Sequence, residues 1–416
     1  MTGKAMEDKN ILMARRVAEA VDRAGGRTYY VGGFVRDRLM GIECKDVDIE
    51  VHGVPARELV RLLDGIGEHT EMGASFGIYG LRHCELDIAM PRSERATGRG
   101  HKDFEVFTDP FLGPEKAARR RDFTINAMME NVLTGEIADF FGGRKDLERK
   151  ILRHVDDMSF GEDPLRVLRC AQFAARFGFS VDERTLALCR KMELSELPRE
   201  RIMGELEKAL LKAARPSVFF RVLEEMGQVN FWFGGYAQLT AGERTETDAL
   251  LDSAARHRDQ AGNPIYFMLS ALCLHMRDAK DFAERLSGEN DLREYVENMC
   301  ALCGRARRLS AEGASDEQWN ILFDASVCPE DLLLLAYCAD NDAAGFEKAQ
   351  AQLAGFERLM GKPHVMGRDL IEAGLKPDKN FSGYLKFAHS LRLKGTEKSD
   401  ALKKTLEYAK NDRKKP

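Results

Sequence analysis

The sequence predicts an α+β fold, in which a small mixed β-sheet forms an N-terminal head and helices form the remainder. Residues 1–140 alternate helices with short apolar strands of period two, whereas the pattern from about residue 144 onward is almost wholly helical. At 416 residues the chain is also too long for one compact core. We predict a head (1–140), a neck (141–195), a helical body (196–300) and a helical tail (301–416).

The predicted elements of the head follow one another closely along the chain. Apolar periodicity predicts helices at 11–24, 34–40, 55–63 and 120–130, and strands at 28–33, 45–52, 76–82 and 84–90. Pro55 suits the first turn of its helix, because proline lacks only an N–H that would have no partner there. A polar segment with two glycines, 93–103, separates the last two of these elements. Helices and strands therefore alternate within the head.

The composition excludes a membrane protein and a disulfide-stabilised one. Hydrophobic residues make up 44% and charged residues 31% of the chain. No apolar run approaches the roughly 20 residues that span a bilayer, and the N-terminus lacks the apolar core of a signal peptide. Nine scattered cysteines fit free thiols in a reducing cytoplasm, and we expect no metal or redox role for the one CxxC pair, Cys300 and Cys303. We predict a cytoplasmic protein with no membrane contact, and no oligomeric state is predicted.

Basic residues are clustered although the formal net charge is -5. They concentrate at 119–121, at 144–153 and in the last 36 residues, where ten Lys or Arg stand against four Asp or Glu, a balance of 10 − 4 = +6. Basic clusters on an acidic protein are compatible with steering a polyanion to one surface. For the final cluster, solvated helix faces are the open alternative.

The first two predicted strands carry the clearest chemical pattern. One strand ends in Gly32 and Gly33, a short helix with Arg36 follows, and the next strand carries Asp46 and Asp48. Residues two apart on a strand project from the same face, and paired carboxylates repel each other unless a cation lies between them. Mg²⁺ prefers oxygen ligands and uses one or two carboxylates together with substrate phosphates. The glycine turn would bring N–H groups to a phosphate chain, so we predict a Mg²⁺-dependent nucleotidyl-transfer site with Asp46 and Asp48 as catalytic metal ligands.

Two further carboxylates extend this pattern. Asp87 alternates with Leu86 and Ile88 on a predicted neighbouring strand, so its side chain would point away from the core. It is a candidate third metal ligand or a base for the attacking hydroxyl, and an ordinary exposed strand residue is the alternative. Glu50 shares the face of Asp48 but lies one step further along, and we expect it to be exposed to solvent.

Four motifs in order resemble those of the bacterial (class II) tRNA nucleotidyltransferase and poly(A) polymerase family. The first is the Gly-Gly-Phe-Val-Arg-Asp run with the later Asp-Val-Asp-Ile. The others are RRDFTINA at 120–127, FGGRKDL at 141–147 and EDPLRVLR at 162–169. The segment 367–377 is similar to the tail region of many members. The resemblance is dense over 29–180 and thin between 190 and 360.

The resemblance implies that the first two motifs hold the nucleotide. Arg121 would contact phosphate, and Asp122 would accept a hydrogen bond from a ribose 2′-hydroxyl, which separates ribonucleotides from deoxyribonucleotides. An N-cap for the following helix is the alternative for Asp122. The nucleotide-binding positions implied in these two motifs are Gly32, Gly33, Arg36, Arg121, Asp122 and Asn126.

The fourth motif implies a protein-based reading of the nucleobase. Cytosine and adenine present an amine donor beside a ring-nitrogen acceptor, which match the carboxylate of Asp163 and the guanidinium of Arg166. Guanine and uracil present the opposite pattern, and leaving such buried groups unpaired costs about 1–3 kcal/mol each. In the family, Glu162 helps to hold the arginine, and Arg169 belongs to the same nucleotide-binding motif. A helix cap and an exposed arginine face are the alternatives.

The implied activity is template-independent addition of CCA to the 3′ end of tRNA from CTP and ATP, with release of pyrophosphate. The helical body and the basic tail would bind the tRNA acceptor arm through its backbone and shape. A poly(A) polymerase and an enzyme limited to CC or A addition share these motifs and stay open, as does an RNA-binding module without catalytic activity. The adjacent His-Asp pair of a hydrolase module present in many relatives is missing near His275, and we expect no phosphatase activity. The segment 93–103 resembles the family's flexible loop, with a disordered linker as the alternative.

Overall fold

A computed structural model describes residues 3–44, 46–71, 77–96 and 104–413 of the chain. The chain divides into two compact units. The first unit comprises Met1–Ala209 and Val218–Trp232, and the second comprises Leu210–Ser217 and Phe233–Pro416. The predicted head and neck thus fall in one unit, while the four-part division itself stays a prediction.

A mixed β-sheet organises the first unit. The strands are β1 (Arg27–Val31), β2 (Val47–His52), β3 (His69–Glu71), β4 (Ile78–Leu81), β5 (Leu86–Ala89), β6 (Arg92–Ala96), β7 (Phe104–Thr108), β8 (Met129–Asn131), β9 (Ile137–Ala138), β10 (Ile151–Leu152) and β11 (Ser180–Val181). Seven of them form a sheet in the order β3-β4-β5-β2-β1-β8-β9. Within this sheet β2 and β5 run parallel, and the other neighbours are antiparallel. The predicted mixed sheet is confirmed.

Helices pack around this sheet and continue beyond it. They are α1 (Gly3–Arg23), α2 (Gly33–Leu39), α3 (Ala56–Asp64), α4 (Pro114–Arg119), α5 (Gly143–Arg149), α6 (Asp157–Gly161), α7 (Leu165–Phe177), α8 (Glu183–Cys189), α9 (Arg199–Lys212) and α10 (Ser217–Glu225). One 3₁₀ turn, Thr124–Asn126, precedes β8. The other helices and strands predicted up to residue 90 appear within two residues of their expected bounds, whereas α1 begins at Gly3, eight residues before its predicted start, and β3 was not predicted.

The second unit is helical, as the sequence predicts. Its helices are α11 (Gly234–Ala237), α12 (Ala241–Ala254), α13 (Pro264–Cys273), α14 (Ala279–Leu286), α15 (Asn290–Glu312), α16 (Asp316–Ala325), α17 (Pro329–Asp340), α18 (Ala343–Gly361), α19 (Gly367–Glu372), α20 (Phe381–Leu393) and α21 (Lys398–Asp412), with a 3₁₀ turn at Arg258–Gln260. None of the helices in the described ranges combines the length and the apolar character needed to cross a bilayer.

Strand β2 shows why the alternating pattern was a reliable signal. Val47, Ile49 and Val51 are buried in the core that the sheet shares with α1 and α3. Fully burying such aliphatic side chains contributes about 1.5–3 kcal/mol each. Because strand side chains alternate, this burial directs Asp48 and Glu50 to the opposite face of the sheet.

The helix predicted at 120–130 is wrong. Helix α4 ends at Arg119, and the following backbone forms the 3₁₀ turn and then β8. Residues 122–129 are all buried, and their backbone bonds to distant segments, since Thr124 N donates to Arg153 O at 2.9 Å and Val155 N to Asp122 O at 3.2 Å. Tertiary pairing therefore overrides the local helical pattern here.

The loop predicted at 93–103 is wrong in part. Residues up to Ala96 belong to β6, which pairs antiparallel with β7. The remainder of the segment, 97–103, lies outside the described residues. The glycines on which the prediction of mobility depended, Gly98 and Gly100, belong to that remainder.

The cysteines agree with the predicted absence of disulfides. All nine are free thiols. Burial raises the pKa of Cys300 and of Cys303 to about 12 each, so both thiols stay protonated and unreactive near neutral pH. Within the described ranges, no three His, Cys, Asp or Glu side chains are grouped as a ready metal site, near His275 or elsewhere.

Candidate active site

Two carboxylates meet where β2 and β5 lie side by side. Asp48 on β2 is the registered partner of Asp87 on β5, and the two strands are parallel. Asp87 is exposed while Leu86 and Ile88 are buried, as the sequence predicts. Asp46 is exposed and comes immediately before β2. Asp46 and Asp87 therefore both lie near Asp48, although within the described residues the three carboxylates are not grouped closely enough to form a ready metal site.

The environment of Asp48 disfavours its charge. Burial, the charge of Asp87 and the charge of Asp46 raise its pKa, while Arg121 opposes them, and the pKa reaches about 6. A carboxylate crowded by other carboxylates gains most from a cation. The donor set, oxygen only, fits a hard divalent metal ion, and Mg²⁺ bound by Asp46 and Asp48 stays a prediction.

The glycine turn adjoins this acidic edge. Gly32 has φ 67° and ψ -131°, a conformation open essentially to glycine alone. A Cβ at this position would lie 2.9 Å from Arg121 Nη1 and 4.0 Å from Asp48 Oδ2. The turn thus needs glycine for its backbone and for the close approach of Arg121, and it places the predicted phosphate site beside Asp48.

Arg36 is buried beneath the glycine turn. Its side chain is 4% exposed and bonds to Asp37 Oδ1 and, at 2.6 Å, to Asn126 Oδ1. Its guanidinium also stacks on the rings of Phe173 and Phe177. These contacts support the glycine turn from below, and contact between Arg36 and the triphosphate stays a prediction.

Glu50 is buried, and the prediction that it faces solvent is wrong. It is 8% exposed, and its Oε1 accepts a hydrogen bond from His52 Nε2 at 2.8 Å. Its Oε2 lies 3.6 Å from Arg121 Nη2. Although burial raises the pKa of Glu50, the hydrogen bond from His52 and the charge of Arg121 outweigh burial and hold it below its ordinary value.

Asp122 is the centre of a buried polar network. Its Oδ1 accepts from Phe123 N at 2.7 Å and from Asn126 Nδ2 at 2.9 Å, and its Oδ2 accepts from Arg169 Nε at 2.8 Å. Burial raises its pKa, but Arg169 and these hydrogen bonds bring the pKa below the ordinary value. Since both oxygens have protein partners, the ribose-reading role of Asp122 stays a prediction.

The predicted base readers lie at the start of α7. Asp163 Oδ1 accepts from Leu165 N at 3.1 Å, so this carboxylate also caps the helix. The Arg166 guanidinium donates to Ser159 O at 2.6 Å and to Arg120 O at 2.7 Å. These two carbonyls fix the position of the guanidinium. Glu162 follows α6 and directly precedes this pair, and its predicted role in holding the arginine stays a prediction.

One cavity brings the acidic strand and the base readers together. It has a volume of about 310 Å³ and is lined by Glu50, Ile78, Ala89, Met90, Arg92, Ala117, Arg120, Arg121, Asp163 and Arg166. Its guanidinium groups suit a polyanion, and Asp163 and Arg166 lie on its wall. The second and fourth motifs thus line one cavity, together with Glu50, the residue that directly follows the first motif.

Sequence reasoning missed several residues of this site. The sequence wrongly predicts that Glu50 faces solvent and predicts no role for His52 or for Arg120, although Arg120 belongs to the second motif. Arg201 on α9 was also missed, although its Nη2 lies 3.2 Å from Asp163 Oδ2. The alternation of β2 was a usable signal for Glu50 and His52, whereas no local pattern marks Arg201, which is 38 residues from its partner.

Comparison with known protein families assigns the head. Residues 28–153 match the model of the Poly A polymerase head domain. A multifunctional CCA protein of Haemophilus ducreyi is 38% identical over 263 residues, 59% of this chain and 62% of that protein. A CCA-adding enzyme of Marinobacter nauticus is 38% identical over 277 residues, 65% of this chain and 71% of that protein. Many matches span about half of the relative, as for Aromatoleum aromaticum, with 43% identity over 48% of its protein.

Solved structures show the same fold. A Thermotoga maritima CCA-adding enzyme complexed with tRNA superimposes with a TM-score of 0.69 at 22% identity, covering 96% of this chain and 95% of that one. A complex of a CCA-adding enzyme with CTP gives a TM-score of 0.71 at 21% identity, covering 97% and 94%.

The sheet, the acidic edge and the matched head domain define a nucleotidyltransferase. This chain is 38% identical to the Marinobacter CCA-adding enzyme over 71% of that protein, which is enough to assign the family. The chain belongs to the CCA-adding enzymes.

Proposed function

We propose that this protein adds C, C and A in turn to the 3′ end of tRNA, using CTP and ATP and releasing pyrophosphate. The observation that carries the proposal is one cavity that is lined by Asp163, Arg166 and Glu50. Glu50 is on β2, the strand on which Asp48 is the registered partner of Asp87 on β5. It is supported by relatives named CCA-adding enzymes and by similar solved structures of CCA-adding enzymes in complex with tRNA, with ATP and with CTP.

The nucleobase would be selected by Asp163 and Arg166. The carboxylate accepts from the exocyclic amine of cytosine or adenine, and the guanidinium donates to the adjacent ring nitrogen. Two backbone carbonyls, those of Ser159 and Arg120, hold the guanidinium in place without neutralising it. GTP and UTP would leave Asp163 and Arg166 without matching hydrogen-bond partners, which would cost about 1–3 kcal/mol of binding free energy for each side chain.

The triphosphate would lie across the glycine turn. Arg121, whose Nη1 is close to Gly32, would bind phosphate oxygens, and the backbone N–H groups of Gly32 and Gly33 would line the same side. Arg36 would support this turn from below through Asn126. These contacts would hold the α-phosphorus over Asp48.

The reaction forms one bond and breaks one. The 3′-oxygen of tRNA bonds to the α-phosphorus, the bond to the β-phosphate oxygen breaks, and pyrophosphate leaves. Asp87, exposed and opposite Asp48, would accept the proton of the 3′-hydroxyl or complete the metal site. Mg²⁺ bound by Asp46 and Asp48 would lower the pKa of that hydroxyl and neutralise charge on the leaving group.

The second unit would bind the tRNA. Its last two helices carry exposed lysines at Lys386, Lys403, Lys404 and Lys410. Lysines on a helical surface suit contacts to the backbone of a folded RNA. We propose the acceptor arm as the partner of this surface.

Incorporation from single nucleotides tests the proposed product. Purified protein is given tRNA lacking its 3′-terminal CCA, Mg²⁺, and each labelled nucleoside triphosphate separately and in pairs. We expect two C residues and then one A, followed by termination, and no incorporation without Mg²⁺. A long A ladder would indicate a poly(A) polymerase, C alone or A alone a partial enzyme, and no incorporation an RNA-binding module.

A further inference from the structure

The buried pair of Glu50 and His52 lies beside the proposed triphosphate site but has no part in the mechanism above. Both residues are on β2, on the same face as Asp48, and are 8% and 6% exposed. A carboxylate only accepts hydrogen bonds, so His52 Nε2 donates to Glu50 Oε1 across 2.8 Å. The ring of His52 packs edge-on against Tyr29 at 5.4 Å. Glu50 is therefore held in one rotamer.

The second oxygen of Glu50 points to Arg121. Glu50 Oε2 lies 3.6 Å from Arg121 Nη2, and the Arg121 side chain is 26% exposed. The opposite end of the same guanidinium, Nη1, reaches the Gly32 turn. Glu50 also lines the cavity with four arginines, namely Arg92, Arg120, Arg121 and Arg166. A fixed carboxylate at this point holds one flexible guanidinium against the turn.

We propose that Glu50 is a positioning residue that aims Arg121 at the phosphates of the incoming nucleotide, with His52 fixing Glu50. This inference depends on the proposed function, because it assigns the phosphates of CTP or ATP as the ligand of Arg121. Pre-positioning matters because an arginine side chain otherwise loses rotamer entropy when it binds. Glu50 orders the guanidinium before the nucleotide arrives.

The isosteric change Glu50→Gln tests this role. It keeps an acceptor for His52 and removes the charge that faces Arg121. We expect the KM for CTP to rise about fivefold to tenfold, with kcat changed less than about threefold. In an Arg121→Met background, the same change should leave KM unaltered, since the residue it positions is gone.

Glu130→Gln is the matched control. Glu130 is also 8% exposed and pairs with Arg38 at 2.9 Å, and it does not line the cavity. We expect it to lose similar stability without raising KM. Equal KM effects of the two variants, or a full Glu50→Gln effect without Arg121, would overturn the proposal. Binding of CTP measured by calorimetry without tRNA gives a second readout, where an unchanged affinity in Glu50→Gln would also overturn it.

A failure of the proposed function gives a different result. In that case the wild-type protein itself incorporates neither CMP nor AMP. If the wild type is active and only the variants fail to differ, the proposed function stands and the positioning role of Glu50 is wrong.

Discussion

Asp48 on β2 lies directly opposite Asp87 on β5, in register across two parallel strands. Two carboxylates brought this close without a cation destabilise each other's charged forms. The raised pKa of Asp48, about 6, is the electrostatic consequence of that arrangement together with burial. This arrangement favours the binding of a cation between the two carboxylates.

Stability without metal should depend on the ionisation of Asp48. Its pKa is raised from 3.8 to about 6 in the folded protein, so its favourable contribution is full below pH 4 and is lost as pH rises through 6. The loss is at most about 3 kcal/mol. Urea unfolding in EDTA from pH 4 to 7.5 should show this slope in the wild type relative to Asp48→Asn. A constant difference between the two proteins over this range would contradict the assignment.

Mg²⁺ affinity should follow the same ionisation with the opposite sign. Because a metal ligand must be deprotonated, the affinity should rise about tenfold per pH unit below pH 6 and level off above it. Titration calorimetry with Mg²⁺ at pH 5, 6 and 7 measures this dependence. An affinity that stays level over this range would mean that Asp48 does not bind the metal.

Gly32→Ala should weaken nucleotide binding beyond its effect on stability. The added Cβ would lie 2.9 Å from Arg121 Nη1, at a residue with φ 67°. We expect a loss of about 1–3 kcal/mol in stability and at least tenfold weaker CTP binding. Gly135→Ala is the control, because Gly135 has φ 72° and no atom within 4 Å of its added Cβ. If both variants bind CTP equally well, the close approach of Arg121 has no functional role.

Asn126→Ala should destabilise the head strongly. The Asn126 amide accepts from Arg36 and donates to Asp122, and the residue is 4% exposed. Removing it leaves two buried charged groups each short of a partner, so we expect a loss of about 3–5 kcal/mol. Asn320→Ala removes one neutral bond, to Leu393 O at 2.8 Å, from a similarly buried asparagine and should lose about 1 kcal/mol. Chemical denaturation compares them, and similar losses would argue against the network.

Asp163→Ala should relax base selection more than it slows turnover. Without the carboxylate, the amine of cytosine loses its hydrogen-bond acceptor, and the carbonyl oxygen of uracil no longer faces a second acceptor. We expect the ratio of CTP to UTP incorporation to fall about tenfold to a hundredfold. Asp182→Ala, which removes the cap of α8, serves as the control. An unchanged ratio in Asp163→Ala would remove Asp163 from base reading.

The sheet and its acidic edge could be predicted because they depend on a local rule. Alternation of Val47, Ile49 and Val51 with polar residues needs only the period of two of a strand, and the same rule oriented Asp87. The orientation of each of these side chains follows from its immediate neighbours in the sequence.

The burial of Glu50 and Arg36 could not be predicted in this way. Glu50 is buried partly by Arg121, and Arg36 by Asn126 and Phe173, partners between 71 and 137 positions away along the chain. The helix wrongly predicted at 120–130 failed for the same reason, since its backbone bonds to residues 153 and 155. The local sequence gives no information about which distant segment of the chain packs over a given side chain and buries it.

The central claim is that Asp48 belongs to a working nucleotidyl-transfer site, and single-turnover CMP incorporation by Asp48→Asn tests it most directly. The experiment uses tRNA lacking its 3′-terminal CCA with Mg²⁺ and CTP, and Asp64→Asn, a change at an exposed carboxylate, as the control. We predict a rate at least about a thousandfold lower for Asp48→Asn, with unchanged folding, and a normal rate for Asp64→Asn. A wild-type rate in Asp48→Asn would contradict the account.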